Sequence, residues 1–153
     1  MIKVLFVCHG NICRSPMAEF LFKDYVNKKG TANKFHIESR ATSSEEIGNP
    51  VHYGTAKILK RLNIDYRGKR AERISEEDYN NYDFIIIMEE YNRYNIERRI
   101  PDRDRKIHTL LEYTDLKRDI SDPWYTGDFE GTYNDITIGL DGFYSYLKNN
   151  GLI

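Results

Sequence analysis

The chain has 153 residues, 40% of them hydrophobic and 31% charged, which suits one globular domain, expected over residues 1–153, with a sizeable core. Mean hydropathy is -0.67, and no apolar run approaches the roughly 18 residues that a membrane helix needs. The net charge of -1 gives no overall attraction to nucleic acid or to anionic lipid, so any anion site has to be built locally.

The first expected element is a strand over Ile2 to Val7, a nearly continuous apolar run whose only charge is Lys3. That pattern suits a strand buried on both faces of a parallel sheet. From about Ser15, the residues Met17, Ala18, Leu21, Phe22, Tyr25 and Val26 recur at helical spacing, with Pro16 near the start and Gly30 at the end. Phe35 to Ser39 alternates as a second strand would. Gly48-Asn49-Pro50 punctuates a loop. Val51 to Leu62 reads as a helix with Ile58, Leu59 and Leu62 on one side. Asp83 to Met88 contains FIIIM, a buried-strand pattern, Glu89 to Arg99 reads as a short charged helix, and Lys106 to Leu111 holds a further strand. Tyr113 to Tyr133 is long and irregular, with Pro123 and two glycines, and segments of that length often carry function. Ile136, Leu140, Phe143, Tyr144 and Leu147 mark a final amphipathic helix.

Strands alternating with helices predict an α/β sandwich around a mostly parallel sheet. Ligands in such folds bind beyond the carboxyl ends of the strands, and the stretch VCHGNICRSP, residues 7–16, lies at one such end. The N-terminal MIKVLFVCHG has a short apolar run followed by a polar turn instead of the small-residue cleavage site of a signal peptide. A cytoplasmic setting is therefore expected. In a reducing compartment, two cysteines five apart point to catalysis, redox chemistry or metal binding before a structural disulfide.

A loop running from a strand into a helix N-terminus presents unpaired N–H groups and the positive end of the helix dipole. That suits phosphate. Gly10 offers conformations closed to other residues, Asn11 tolerates left-handed geometry, and Arg14 adds a planar fork matched to two phosphate oxygens. Cys8 begins this ring, where the surrounding donors favour the thiolate, which is the nucleophilic form. Ser15 can donate a hydrogen bond to the sulfur. Two other readings stand beside this one. Cys8 and Cys13 could be small buried residues at a strand end. Alternatively, Cys8, His9 and Cys13 could hold zinc, although His36, His52 and His108 are scattered without paired-ligand spacing. Expelling an alkoxide or phenoxide also needs a proton. In SDPWY, residues 121–125, Asp122 is held extended by the proline after it, and Trp124 and Tyr125 offer flat walls to an aromatic substrate. A plain Asp-Pro turn beside two core aromatics fits the same residues.

Taken together, VCHGNICRSP, SRATSSEEIGNP at 39–50, YDFIIIM at 82–88 and SDPWY resemble the low-molecular-weight protein tyrosine phosphatases across essentially the whole chain. The resemblance implies a three-layer α/β sandwich with a central four-stranded parallel sheet flanked by helices. It implies hydrolysis of phosphotyrosine in proteins, and of aryl phosphates, with acid-type activity and without metal or other cofactor. Cys8 would attack phosphorus while Asp122 protonates the tyrosyl oxygen, and Asp122 would then act as base on the water that hydrolyses the phosphocysteine. Arg14 and the loop from His9 through Gly10, Asn11, Ile12 and Cys13 would hold the phosphoryl oxygens. Asn11 would brace the loop through Ser39, Trp124 and Tyr125 would line a wall, and Cys13 would trap oxidised Cys8 as a reversible disulfide. Implied partners are a phosphotyrosine-containing protein and inorganic phosphate as product, with no nucleic acid or membrane, and the chain as a monomer or weak dimer.

Several positions depart from the family pattern. His9 stands where a small or aliphatic residue is usual, and Glu45 where an aromatic is common. Glu89 replaces an aspartate, leaving open whether an acidic contact to Arg14 survives. Rival readings are few. A disulfide-relay arsenate reductase on the same fold needs cysteines after the loop, and none follows Cys13. The arginine phosphatase relatives tend to carry threonine where Ile12 stands. A binding module that had lost catalysis would not be expected to keep Cys8, Arg14 and Asp122 together.

Overall fold

The computed structural model describes residues 1–153. Four strands, β1 (Ile2–Cys8), β2 (Phe35–Ala41), β3 (Phe84–Ile87) and β4 (Ile107–Thr109), form one sheet in the order β2-β1-β3-β4, all pairs parallel. Six helices surround it: α1 (Arg14–Lys28), α2 (Tyr53–Arg61), α3 (Glu76–Asn81), α4 (Glu90–Glu97), α5 (Pro123–Thr126) and α6 (Phe129–Asn149). The chain leaves β1 toward β2 on one side and returns to β3 on the other. The loop after β1 therefore sits at the switch of strand order, where a crevice opens beyond the strand ends.

The period of two along β1 assigns its side chains to the two faces of the sheet. Val4, Phe6 and Cys8 join a core with Met17 and Phe22 of α1, Ile58 and Leu59 of α2, and Ile136, Leu140 and Phe143 of α6. Leu5 and Val7 face the other way and pack with Tyr79 of α3 and Ile96 of α4. Both faces are covered, which is why β1 and β3 read as continuous apolar runs. Phe143 is fully buried and meets the rings of Phe22, Phe84 and Tyr113 at 5.7, 5.3 and 5.1 Å.

The expected strands and main helices are present, with shifted ends. The helix expected from Val51 begins at Tyr53, because His52 caps it by accepting the Gly54 N–H on its ring nitrogen. The final helix begins at Phe129, well before Ile136, with the Asp128 carboxylate accepting the Gly131 N–H. Within the supposedly irregular stretch 113–133, Pro123–Thr126 forms the single turn α5. The helix α3 was not expected. It is short and polar, and a reciprocal Ser75–Asp78 capping box starts it.

Candidate active site

β1 delivers Cys8 to its end, residues 9–13 form the loop, and α1 starts at Arg14. The surrounding elements tie the loop carbonyls down. Thr42 N–H donates to Cys8 O at 2.9 Å, Ser43 N–H to His9 O at 3.1 Å, His52 N–H to Ile12 O at 2.9 Å, and Thr55 Oγ1 to Cys13 O at 3.0 Å. In a trans peptide the C=O and N–H point in opposite directions. Fixing these carbonyls outward therefore turns the N–H groups of the next residues toward the loop centre. None of the N–H groups of His9 to Cys13 donates to a backbone carbonyl.

Asn11 supplies the left-handed turn, at φ 58°. Its amide donates to Ser15 Oγ at 2.7 Å and to Ser39 Oγ at 2.9 Å, while its carbonyl accepts from Glu72 N–H at 3.2 Å. The expected conformational role of Gly10 is not what the structure shows, because Gly10 lies outside the left-handed region. A Cβ there would sit 3.3 Å from Glu46 Cγ, so the glycine leaves room for that side chain.

Cys8 is buried, with Sγ 3.1 Å from Ser15 Oγ and 3.4 Å from the Ser15 amide nitrogen, which donates to it. Cys13 is buried too. Burial, with Cys8 and Asp122 nearby, pushes its thiol well above the ordinary range against the opposing pull of Arg14. The two cysteines are thus in different electrostatic positions. Cys8 faces donors, and Cys13 is held as a neutral thiol.

Arg14 is 1% exposed. Nη1 donates to Glu89 Oε2 at 2.5 Å and to Ile120 O at 2.9 Å, and Nη2 lies 3.3 Å from Asp122 Oδ2. Its Nε is buried with no protein partner. Burial alone would lower its affinity for a proton, but Cys8, Asp122 and Glu89 outweigh this and raise it, so the guanidinium is a fixed charge. The longer Glu89 does keep the acidic contact that an aspartate would make. Glu89 itself is placed by Asn92, whose side chain accepts the Glu89 N–H at 3.0 Å.

Asp122 is extended, as the following proline requires, and also caps α5: Oδ1 accepts Trp124 N–H at 3.0 Å. Its other oxygen faces Arg14. Trp124 and Tyr125 are exposed on the cleft, not core aromatics. The cleft is lined by Cys8, His9, Gly10, Ile12, Cys13, Arg14, Glu45, Glu46, Asp122, Trp124 and Tyr125. His9 Nε2 pairs with Glu45 Oε2 at 2.9 Å on the rim, and no group of three His, Cys, Asp or Glu side chains is arranged to hold a metal ion.

Three contributors escape a reading of the sequence. Glu46 adds a second rim carboxylate. His52 stacks on Phe129 at 5.1 Å and meets Trp124 edge-on at 5.5 Å, so it joins the loop carbonyl it binds to the aromatic wall. Glu19 lies behind the loop and is 2% exposed. The Ser75-x-x-Asp78 spacing could have revealed α3, but nothing local marks these three residues.

A thiol ringed by free N–H groups, with a buried guanidinium at its side and a carboxyl across the cleft, is built to take a phosphoryl-sized anion over sulfur. The sequence profile described as "Low molecular weight phosphotyrosine protein phosphatase" matches residues 3–151. The low molecular weight protein-tyrosine-phosphatase YfkJ of Bacillus subtilis is 42% identical over 145 residues, 92% of each chain. The crystal structure of YfkJ superposes with a TM-score of 0.94 at 38% identity, covering 99% of this chain and 97% of that one. The low molecular weight protein tyrosine phosphatase SP-PTP from Streptococcus pyogenes superposes with a TM-score of 0.85 at 44% identity, covering 96% and 93%. The chain belongs to the low-molecular-weight phosphotyrosine protein phosphatase family. It is a protein-tyrosine phosphatase on an α/β fold, and no helix is long and apolar enough to cross a membrane.

Proposed function

We propose that this single-domain phosphatase, spanning residues 1–153, hydrolyses phosphotyrosine in proteins, and aryl phosphates, through a phosphocysteine on Cys8. The observation that carries this reading is the set of outward-tied loop carbonyls around Cys8, which leaves the N–H groups of His9 to Cys13 unpaired by the backbone beside a buried Arg14 whose Nε has no protein partner. In the first step the Cys8 thiolate attacks phosphorus and the P–O bond to the tyrosyl oxygen breaks. Asp122 gives that oxygen a proton from Oδ2, since Oδ1 is engaged by Trp124 N–H. Anion binding draws Arg14 Nη2 onto the phosphoryl oxygens and frees Oδ2 to hold the proton.

In the second step Asp122 accepts a proton from water as the water attacks phosphorus. The S–P bond breaks, inorganic phosphate leaves, and the sulfur departs as thiolate. The loop N–H groups and Arg14 hold the three equatorial oxygens, and a fixed donor ring serves the transition state best. Ser15 O–H steadies the thiolate in both directions. Asn11, Ser39 and Glu89 keep loop and guanidinium in place, and Ile12 closes the loop against the Ala71 side. The exposed wall of Trp124 and Tyr125 receives the tyrosyl ring, with His9 and Glu45 at the rim.

When peroxide converts Cys8 to a sulfenic acid, the Cys13 thiol displaces hydroxide from that sulfur to give a disulfide, with water released. A reducing cytoplasmic setting returns both thiols. The test is hydrolysis of p-nitrophenyl phosphate and of a phosphotyrosine peptide in chelator. Turnover by the wild type, its loss in Cys8→Ser with phosphate binding retained, and none of this in a protein lacking Arg14 is the expected pattern. Turnover surviving in Cys8→Ser refutes it.

A further inference from the structure

One exposed face of α4 carries a ladder that the two-step reaction does not use. Tyr91, Tyr94 and Arg98 follow one another at positions i, i+3 and i+7, which sets them in one stripe. The Tyr91 and Tyr94 rings stack at 6.2 Å with 14° between their planes, and the Arg98 guanidinium lies 6.0 Å from the Tyr94 ring. Both tyrosines face solvent, 59% and 62% exposed. Beside the stripe are Arg99, just past the end of α4, and Arg73, from the segment that leads into α3.

The charges of this patch are unbalanced. Carboxylates of the same region are engaged elsewhere, Glu90 with Arg93 at 2.9 Å and Glu76 with Arg103 at 3.0 Å. No carboxylate pairs with Arg73, Arg98 or Arg99. Burial, and then the like charges of Arg73 and Arg98, loosen the hold of Arg99 on its proton, and no anion opposes them. Guanidinium groups nevertheless stay charged in proteins, so the repulsion persists. A helix C-terminus favours cations, which accounts for Arg98 and Arg99. It does not account for Arg73, brought in from another segment, or for two exposed tyrosines. Two members tie the patch to the active-site end of the sheet. Tyr91 comes two residues after Glu89, which holds Arg14. Arg73 Nε donates to Thr42 O at 3.0 Å, and Thr42 N–H holds Cys8 O.

We propose that Tyr91, Tyr94, Arg98, Arg99 and Arg73 form a docking surface for an acidic segment of the phosphotyrosine protein, apart from the phosphotyrosine itself. The inference rests on the reading that proteins are the substrate. Carboxylates match the forked guanidinium donors, and the tyrosine rings offer flat, rigid walls to the apolar parts of such a segment. The patch fits a short acidic stretch of polypeptide and not a nucleic acid. A nucleic acid needs a longer cationic track, whereas this one holds three arginines, shares α4 with Glu90 and Glu97, and sits on a chain of net charge -1. Charge complementarity of this kind acts on encounter and on KM and leaves the chemical step alone.

The test uses phosphotyrosine peptides that differ only in a tail, Glu-rich or Gly/Ser-rich, joined through a flexible linker to either end. Fluorescence anisotropy of a labelled Glu-rich peptide without phosphotyrosine reads docking by itself. Two or three exposed ion pairs amount to about a five- to tenfold gain. The Glu-rich tail therefore raises kcat/KM by that factor from at least one end, with kcat unchanged. The gain over the Gly/Ser tail disappears at about 1 M salt, where charges are screened within about 3 Å. Arg98→Gln/Arg99→Gln and the reversal Arg98→Glu/Arg99→Glu, each checked by thermal melt, lose the gain and the anisotropy signal but keep wild-type turnover of p-nitrophenyl phosphate. Tyr91→Ser/Tyr94→Ser weakens both signals. The proposal is overturned by no gain from a Glu-rich tail at either end, or by a gain that survives in both arginine variants. It is also overturned by a single-stranded DNA oligonucleotide that binds as tightly as the Glu-rich peptide and displaces it. If the wild type leaves p-nitrophenyl phosphate unhydrolysed, the phosphatase reading fails instead, and the anisotropy arm still decides whether the acidic peptide docks.

Discussion

Removing the Glu89 carboxylate probes the alignment of the phosphoryl clamp without touching a residue that meets the substrate. Glu89 holds Arg14 Nη1 at 2.5 Å and Ile120 O holds the same nitrogen at 2.9 Å. With Glu89→Ala, only the Ile120 carbonyl and the Asp122 carboxylate, 3.3 Å from Nη2, are left to orient a guanidinium that is 1% exposed. A hydrogen bond between charged groups contributes about 1.5–3 kcal/mol, and each ~1.4 kcal/mol is a factor of ten in rate. The Ile120 and Asp122 contacts remain, so the lower half of that range applies, and kcat/KM is expected to fall about 10–40-fold. Glu89→Gln keeps a neutral acceptor and falls less. Steady-state hydrolysis of p-nitrophenyl phosphate and of a phosphotyrosine peptide, with circular dichroism confirming the fold, measures this. If Glu89→Ala stays within about twofold of wild type on both substrates, Glu89 does not position Arg14 and the reasoning fails.

Asp122→Ala slows phenyl phosphate, whose leaving group needs a proton, by about 10²–10⁴-fold and slows p-nitrophenyl phosphate far less. A leaving-group series reads the difference, and equal slowing throughout rules out the acid assignment. Gly54→Ala places a Cβ 2.5 Å from the Phe129 ring, so the ring and its His52 and Trp124 neighbours must move. The expected result is about 1–3 kcal/mol of destabilisation, read by denaturant unfolding, with a higher KM for aryl phosphates. Burial lowers the affinity of His52 for a proton, against the pull of Glu46 and Asp122. The unfolded chain therefore takes up that proton more readily, and the contribution of His52 to stability is complete above its ordinary value of about 6.5 and is lost as pH falls below it. His52→Asn keeps the cap without titrating, so its melting temperature should fall less than that of wild type between about pH 7.5 and 5.5. Parallel curves contradict this.

What the sequence makes legible depends on how local the cause is. β1 and β3 stand out because burial on both faces leaves continuous apolar runs. Cys8, Asn11 and Arg14 sit in a single turn whose geometry follows from the strand before it and the helix after it. By contrast α3 is polar apart from Tyr79, so no apolar period marks it and only the side-chain cap at Ser75 does, while in the first turns of α6 Phe129 and Tyr133 stand in helical register with Ile136 but are diluted by the Glu, Gly, Asn and Asp between them. The Asp122-Pro123 pair signals both an extended residue and the start of a helix, because proline suits the first helical position. Glu46, His52 and Glu19 reach the site through tertiary contacts, such as the 20-residue separation between Glu19 and Ser39, which no short-range pattern encodes. The place of Gly10 was legible, but its reason was not, since the close neighbour Glu46 comes from a distant loop.

The central claim is that the phosphoryl group passes through Cys8. Rapid acid quench of the protein during turnover of a phosphotyrosine peptide, followed by peptide mapping, tests it directly. The account predicts phosphate on the sulfur of Cys8, accumulating further in Asp122→Ala with a good leaving group because hydrolysis of the intermediate loses its base. Phosphate found on another side chain, or turnover with no phosphoenzyme and no dependence on Cys8, contradicts it.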